Sequence, residues 1–178
     1  MKRINKLRYA KAKRFALCFV PSGKEYRKFS GIISQLSKEH HAPKFEPHVT
    51  ILPQINIPKN ETIQKARAFG LKLSPFHIKI GSLSYGNKYF YCVFAKVKKS
   101  KEIIGAYQMA KRMFNHGNSD YSPHLSIMYG NFSPKLKKSI IKKMGKFPKS
   151  GFKVKSISIF DVNGPVKNWK IIKEIKMK

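Results

Sequence analysis

Two octets of this chain follow one pattern: Phe45-Glu46-Pro47-His48-Val49-Thr50-Ile51-Leu52 and Tyr121-Ser122-Pro123-His124-Leu125-Ser126-Ile127-Met128. Each reads aromatic, any residue, Pro, His, apolar, hydroxyl, Ile, apolar. The residues after each proline are β-branched or apolar and are bounded by turn formers, which predicts a strand. Strand side chains alternate between faces, so His48 and Thr50 share one face, and His124 and Ser126 do the same. Pro47 and Pro123 fit as first strand residues, where no ladder donor is needed. A single His-x-hydroxyl strand is ordinary structural material. Core packing can reuse the aromatic, Ile and apolar positions, but it has no need for His and hydroxyl on one face twice. The repeat therefore predicts two imidazole–hydroxyl pairs, each held on a rigid strand.

The rest of the chain alternates strand and helix signals. Residues 15–20 read as a buried strand. Ser22-Gly23 opens a helix whose apolar stripe is Tyr26, Phe29, Ile32, Ile33 and Leu36, ending in His40-His41-Ala42-Pro43. Lys59 to Phe69 is a weaker helix closed by Gly70. Residues 76–84 and 89–97 alternate around Tyr85-Gly86-Asn87-Lys88, which reads as a hairpin. Ser100 caps a helix carrying Ile103, Ile104, Tyr107, Ala110, Met113 and Phe114. Ser133-Pro134 starts another, with Leu136, Ile140, Ile141 and Met144 as its stripe and Gly145 and Pro148 as its stop. Residues 152–162 alternate imperfectly and read as one strand, and Trp169 to Ile175 as the last. The total is about seven strands and four helices, suggesting duplicated halves split near Ser84–Tyr91.

At 178 residues the chain fits one domain, or two small lobes sharing a core. Residues 1–13 read as a loose basic arm and 14–178 as the folded domain. The basic start leads into only six apolar residues before Pro21, too few for a secretory leader. Cys18 and Cys92 sit in apolar runs with no zinc or disulfide spacing, so a reducing compartment, cytoplasmic or nuclear and not secreted, is expected. No run approaches a membrane span. The net charge of +30 attracts polyanions and steers phosphorylated ligands. Lysines outnumber arginines roughly five to one, so RNA binding through a Lys-rich surface and compositional bias both stay open.

Two His and two hydroxyls, with no carboxylate partner in either motif, restrict the chemistry. A nucleophilic triad needs a base held by an acid. A metal site wants further ligands, and His40, His77 and His116 lie off the motif strands. General acid–base catalysis at phosphorus fits, with no metal and no cofactor. One imidazole deprotonates water, the other protonates the leaving oxygen, and the hydroxyls donate to the non-bridging oxygens. A five-membered cyclic phosphodiester suits this arrangement, because ring strain helps.

Paired His-x-Thr/Ser strands resemble those of the two-histidine phosphoesterase superfamily, and most of all its plant and fungal cyclic phosphodiesterase branch. The resemblance covers nearly the whole chain: the opening strand ending at Pro21, Pro47-His48-Val49-Thr50, the aromatic run Tyr89 to Phe94, and Pro123-His124-Leu125-Ser126-Ile127-Met128-Tyr129. It implies an α+β fold of two pseudo-symmetric lobes, each an antiparallel sheet with flanking helices and with the four motif residues in a cleft between them. It also implies hydrolysis of ADP-ribose 1″,2″-cyclic phosphate and of nucleoside 2′,3′-cyclic phosphates by His48 and His124, in a monomer. Tyr129 matches a family tyrosine that lines the phosphate site. By strand parity it faces away from His124 and Ser126, so it reaches the site only if the strand ends or bulges before it. Where plant relatives place an aromatic in the opening strand this chain has Cys18, leaving Phe90 as the platform for a base. Related enzymes cleave 2′,5′-oligonucleotides, cyclic dinucleotides or RNA ends. A non-catalytic RNA-binding module is the reading from another class.

Overall fold

The computed structural model describes residues 14–117, 120–145, 147 and 150–178. The expected N-terminal arm, and Pro148 as a helix stop, lie outside the described residues. Twelve elements follow in order. They are β1 (Phe15–Phe19), α1 (Gly23–His40), β2 (Val49–Ile55), α2 (Lys59–Gly70), β3 (Phe76–Lys88), β4 (Tyr91–Val97), α3 (Lys101–Met113), β5 (His124–Met128), α4 (Pro134–Met144), β6 (Ser150–Val154), β7 (Ser156–Asp161) and β8 (Lys170–Lys176). A 3-10 turn at Val166–Asn168 leads into β8.

The four helices form where their stripes predict, but Gly70 lies within α2, whose cap is Leu71 in the right-handed region, and Ser22 makes no side-chain cap bond to α1. Phe29, Ile33 and Leu36 are the buried face of α1. The chain leaves α1 through His41 in the left-handed region, so the His40–His41 pair is a helix end. The Ser100 and Ser133 hydroxyls accept from the Ile103 and Leu136 backbone N–H groups, satisfying orphan donors at the starts of α3 and α4.

All strand pairs are antiparallel, in the order β6-β3-β4-β5-β2-β1-β7-β8. The sheet is narrowest in its middle, where β2 and β5 share one registered pair, Val49 with Leu125. That junction divides it into two four-stranded lobes, with the motif strands β2 and β5 innermost. The apolar residues of each motif, Val49, Ile51, Leu125 and Ile127, are fully buried on the face that the helices cover. Side chains of this size each contribute about 1.5–3 kcal/mol by leaving water. The lobes also brace each other: α1 packs on β5, and α3 on β2.

Three further sequence readings are corrected. The lobes are not sequence halves split near Ser84–Tyr91, because the β3–β4 hairpin lies within one lobe. That lobe is the continuous stretch β3, β4, β5 and β6, and the other combines β1 and β2 with β7 and β8. The run 152–162 is two strands, not one, which raises the count to eight. Phe152 and Val154 are buried, then Ile157 and Ile159, so the alternation slips by one residue at Lys155 and Ser156. Across that slip the chain passes from β6, at one edge of the strand order, to β7 beside the other edge. With a single linking residue, the sheet must curl until its two ends approach.

The hairpin turn is the third correction. It is Tyr89-Phe90, closed by the Lys88–Tyr91 pair, and not Tyr85 to Lys88. Gly86 reads as a turn residue but sits within β3, where the Tyr91 ring and carbonyl cross it. A Cβ there would lie 2.3 Å from that ring. Close approach, rather than turn geometry, requires the glycine.

Candidate active site

Each motif builds the same local device. The Nδ1 atom of His48 lies 2.6 Å from the Glu46 carbonyl oxygen, and that of His124 lies 2.8 Å from the Ser122 carbonyl oxygen. A carbonyl only accepts, so Nδ1 carries the proton and donates it in both rings. The neutral ring then keeps its lone pair at Nε2. The intervening Pro47 and Pro123 fix φ, which holds the carbonyl two residues back against the ring. β5 begins at His124, whereas β2 begins at Val49, so His48 sits one residue before its strand rather than in it.

The Val49–Leu125 pair sets what these devices face. Continuing its antiparallel register by one residue puts His48 opposite Ser126 and Thr50 opposite His124. Directly opposed residues share a face at Cβ separations of about 4.5–5.5 Å. The four polar side chains thus form one quartet on the face opposite the helices, each imidazole beside the other motif's hydroxyl. The two rings are close enough for the charge of one to disfavour protonation of the other.

The quartet's floor comes from the neighbouring strands. Cys18 is paired with Thr50, and Phe94 with Ser126. The Cys18 thiol donates to the Thr50 hydroxyl at 3.9 Å and is pushed up to about 12 by burial. On the other side a bulge between Val93 and Phe94 brings Tyr91 and Phe94, three apart, onto one face. Their rings stack at 3.9 Å, and His124 stands against both, at 4.6 and 5.3 Å between ring centroids. His48 packs instead on Phe160, at 5.0 Å, and Phe45, at 6.3 Å.

These surroundings set the protonation states. His48 is only 7 % exposed, and burial pulls its pKa down to about 4; the Glu46 carbonyl opposes this and the His124 charge adds to it. His124 is half-buried and is also lowered by burial, against the opposing Ser122 carbonyl. The first octet does hold a carboxylate, Glu46, but Tyr26 on α1 donates its phenolic proton to it.

Tyr129 and Phe90 sit at one end of the quartet. β5 ends at Met128, so the parity of the strand no longer binds Tyr129, and its ring stacks on Phe45 at 3.8 Å. Burial pushes its phenol up, partly offset by a hydrogen bond with Ser126. The Phe90 carbonyl accepts from the Ser126 hydroxyl at 3.3 Å, while its ring, 49 % exposed, stacks on Trp169 at 5.3 Å. Sequence reading missed Tyr91, Phe94, Phe160 and Trp169. The aromatic run around Tyr91 was visible, but the bulge that turns it toward His124 was not. Phe160 and Trp169 lie more than thirty residues beyond the second motif, and only the curl of the sheet returns them.

Two lobes around paired His-x-hydroxyl strands define a two-histidine phosphoesterase. The chain belongs to the cyclic phosphodiesterase-like protein family, whose model matches residues 14–177, and is an enzyme of the phosphodiesterase type. Its relatives include the cyclic phosphodiesterase of Arabidopsis thaliana, 25 % identical over 126 residues, 70 % of each chain. Its fold is similar to that of E. coli LigT complexed with 3′-AMP, with a TM-score of 0.62 at 8 % identity, covering 94 % of this chain and 99 % of that one. TT0787 of Thermus thermophilus is similar too, with a TM-score of 0.62 at 11 % identity over 92 % of this chain and 97 % of that one. Among the described residues, no helix is long and apolar enough to cross a membrane, and no cluster of three His, Cys, Asp or Glu could hold a metal ion.

Proposed function

We propose that this enzyme opens five-membered cyclic phosphodiesters by paired-histidine general acid–base catalysis, without a metal. Its substrates are ADP-ribose 1″,2″-cyclic phosphate, nucleoside 2′,3′-cyclic phosphates, or both, with the 1″-phosphate and 2′-phosphates as products. The observation that carries this reading is the Val49–Leu125 pairing, which sets two Nε2 atoms and two hydroxyls around one space. A phosphate there meets a proton acceptor on one side and a proton donor on the other.

The burial difference supports a division of labour. His48, dry and neutral, takes the proton of the attacking water. His124, wetter and easier to charge, protonates the leaving ribose oxygen. As the P–O bond forms and the ring P–O bond breaks, charge builds on the non-bridging oxygens, where Thr50 donates and where Ser126, supported by Tyr129, donates once its hydroxyl turns from the Phe90 carbonyl. The exposed face of Phe90, backed by Trp169, takes the nucleobase.

The test is turnover of 2′,3′-cyclic AMP with product identification, beside a diester whose leaving group is an activated phenol. An activated phenolate leaves without a proton. His124→Ala should therefore keep most activity on the activated diester and lose it on the natural ring, whereas His48→Ala should lose both. The opposite pattern would exchange the roles, and no turnover of any cyclic phosphate would overturn the function and leave a binding module.

A further inference from the structure

The two motifs hold their histidines alike but do not charge them alike. Glu46 stands two residues before His48, and Ser122 two before His124, and each gives its carbonyl oxygen to the ring's Nδ1. Only Glu46 also brings a carboxylate. That carboxylate accepts from the phenol of Tyr26, in the first turn of α1. Among the described residues, no Lys, Arg or His nitrogen lies within 4.0 Å of it. In a chain with 38 Lys and Arg against 8 Asp and Glu, its charge is not cancelled by an ion pair.

Glu46 is clamped from both ends. A residue before proline is confined to extended backbone, so Pro47 limits how the Glu46 carbonyl can turn. Tyr26 fixes the far end of the side chain. The helix that carries Tyr26 also packs on β5, the strand of His124, so the anchor is itself braced by the second motif. Ser122 precedes Pro123 in the same way but has no charge to offer.

We infer that Glu46 is a positioning residue for His48, with Tyr26 as its anchor: its carbonyl holds the tautomer, and its carboxylate stabilises the imidazolium formed during turnover. This rests on the acid–base reading above and deepens the part of one histidine. In a nucleophilic triad a single carboxylate both orients the imidazole and balances its charge. Here the main chain and the side chain of one residue share those tasks. The titratable groups that act on His48 are His124, across the strand pair, which disfavours its protonation, and Glu46, which favours it. A neutral ring gains little from a nearby carboxylate, whereas an imidazolium gains directly. The stabilisation therefore grows as the proton of the attacking water moves to Nε2, and it lowers the barrier without tightening binding. The same charge gives matching motifs a reason to divide the work. The proton of water goes to the ring with a carboxylate beside it.

The experiment compares wild type with Glu46→Gln, Tyr26→Phe and a control, Glu61→Gln, which removes an equal charge from α2. The substrates are 2′,3′-cyclic AMP and the diester with an activated phenol. Glutamine keeps an oxygen for Tyr26 and leaves the carbonyl in place, so only the charge is lost. Glu46→Gln should lower kcat by about 3–10-fold with KM unchanged, since one pH unit of differential interaction is about tenfold. The loss should be equal on both diesters, because both need the base. The acid limb of kcat/KM should move to lower pH, as His48 loses a partner that favours its charged form. Tyr26→Phe should cost less, and the control should match wild type. The His48 Nδ1 proton, followed by NMR, should persist in Glu46→Gln and exchange faster in Tyr26→Phe. An unchanged kcat and acid limb in Glu46→Gln, a loss confined to KM, or a loss on the natural ring alone would overturn this role and leave the phosphodiesterase reading standing. Wild type inert on both diesters would overturn the two together.

Discussion

Val49 and Leu125, the middle residues of the two motifs, are each other's cross-strand partners. Equivalent residues that pair place a local twofold axis between them. The axis relates His48 to His124 and Thr50 to Ser126, and it explains why the octets repeat. The leading aromatics cross it as well: Phe45 stacks on Tyr129, after the second motif, and the Tyr121 phenol donates to the Thr50 carbonyl at 3.0 Å. The lobes are tied together by the residues that announce each motif.

His48→Ala and His124→Ala should each lower kcat on a nucleoside 2′,3′-cyclic phosphate by about 10²–10⁴-fold, with KM little changed. Thr50→Ala and Ser126→Ala each remove one hydrogen bond to the developing charge and should cost roughly 10–10³-fold. Steady-state kinetics on folded variants checks the order; a histidine variant within a few-fold of wild type would break it.

Protonation should give kcat/KM a bell with an acidic optimum. The base must be neutral, which sets a lower limb near pH 4 through His48. The acid must be charged, which sets an upper limb below 6.5 through His124, whose pKa is lowered by burial. An anionic substrate favours both imidazolium forms, so the upper limb of kcat should lie at higher pH than that of kcat/KM. A flat profile from pH 4 to 8 would contradict this.

The same burial couples His48 to stability. Its folded pKa lies below the unfolded value, so its contribution is present above about pH 6.5 and is lost as pH falls toward 4. The loss is on the order of 3 kcal/mol at about 1.4 kcal/mol per pH unit. Thermal melts of wild type and His48→Gln across that window should show a shallower acid slope in the variant.

Turnover should be unchanged by EDTA. Both Nδ1 atoms are committed to backbone carbonyls, Glu46 is held by Tyr26, and among the described residues no third His, Cys, Asp or Glu completes a ligand set with the two histidines. Loss of activity restored by a divalent metal would refute the acid–base reading.

Lys137→Met should destabilise the protein by about 1–3 kcal/mol. Lys137 is buried, and its Nζ donates to the Gly86 carbonyl at 2.7 Å, within the β3–β4 hairpin that carries Phe90 and Tyr91. Methionine fills a similar volume but leaves that carbonyl unpaired. Denaturant titration gives the stability. The paired expectation is a raised KM as the hairpin loosens beside Ser126.

Local signals in the sequence determined a good part of this protein. Helix stripes and caps act within a few residues, so α1 to α4 were legible where they stand. The period-two rule put His48 with Thr50 and His124 with Ser126, and a repeat of that pattern pointed to a two-sided site. What the sequence did not contain was long-range register. Nothing local says that Val49 pairs with Leu125, that residues 152–162 divide between opposite ends of the sheet, or that Gly86 serves the Tyr91 ring and not a turn. Those outcomes follow from which strands bury their apolar faces together and from the curl that closes the sheet. The same tertiary choices set the difference between the histidines: matching motifs acquire unlike burial, because Phe160 and Phe45 pack His48 out of water while His124, against Tyr91 and Phe94, stays half-buried.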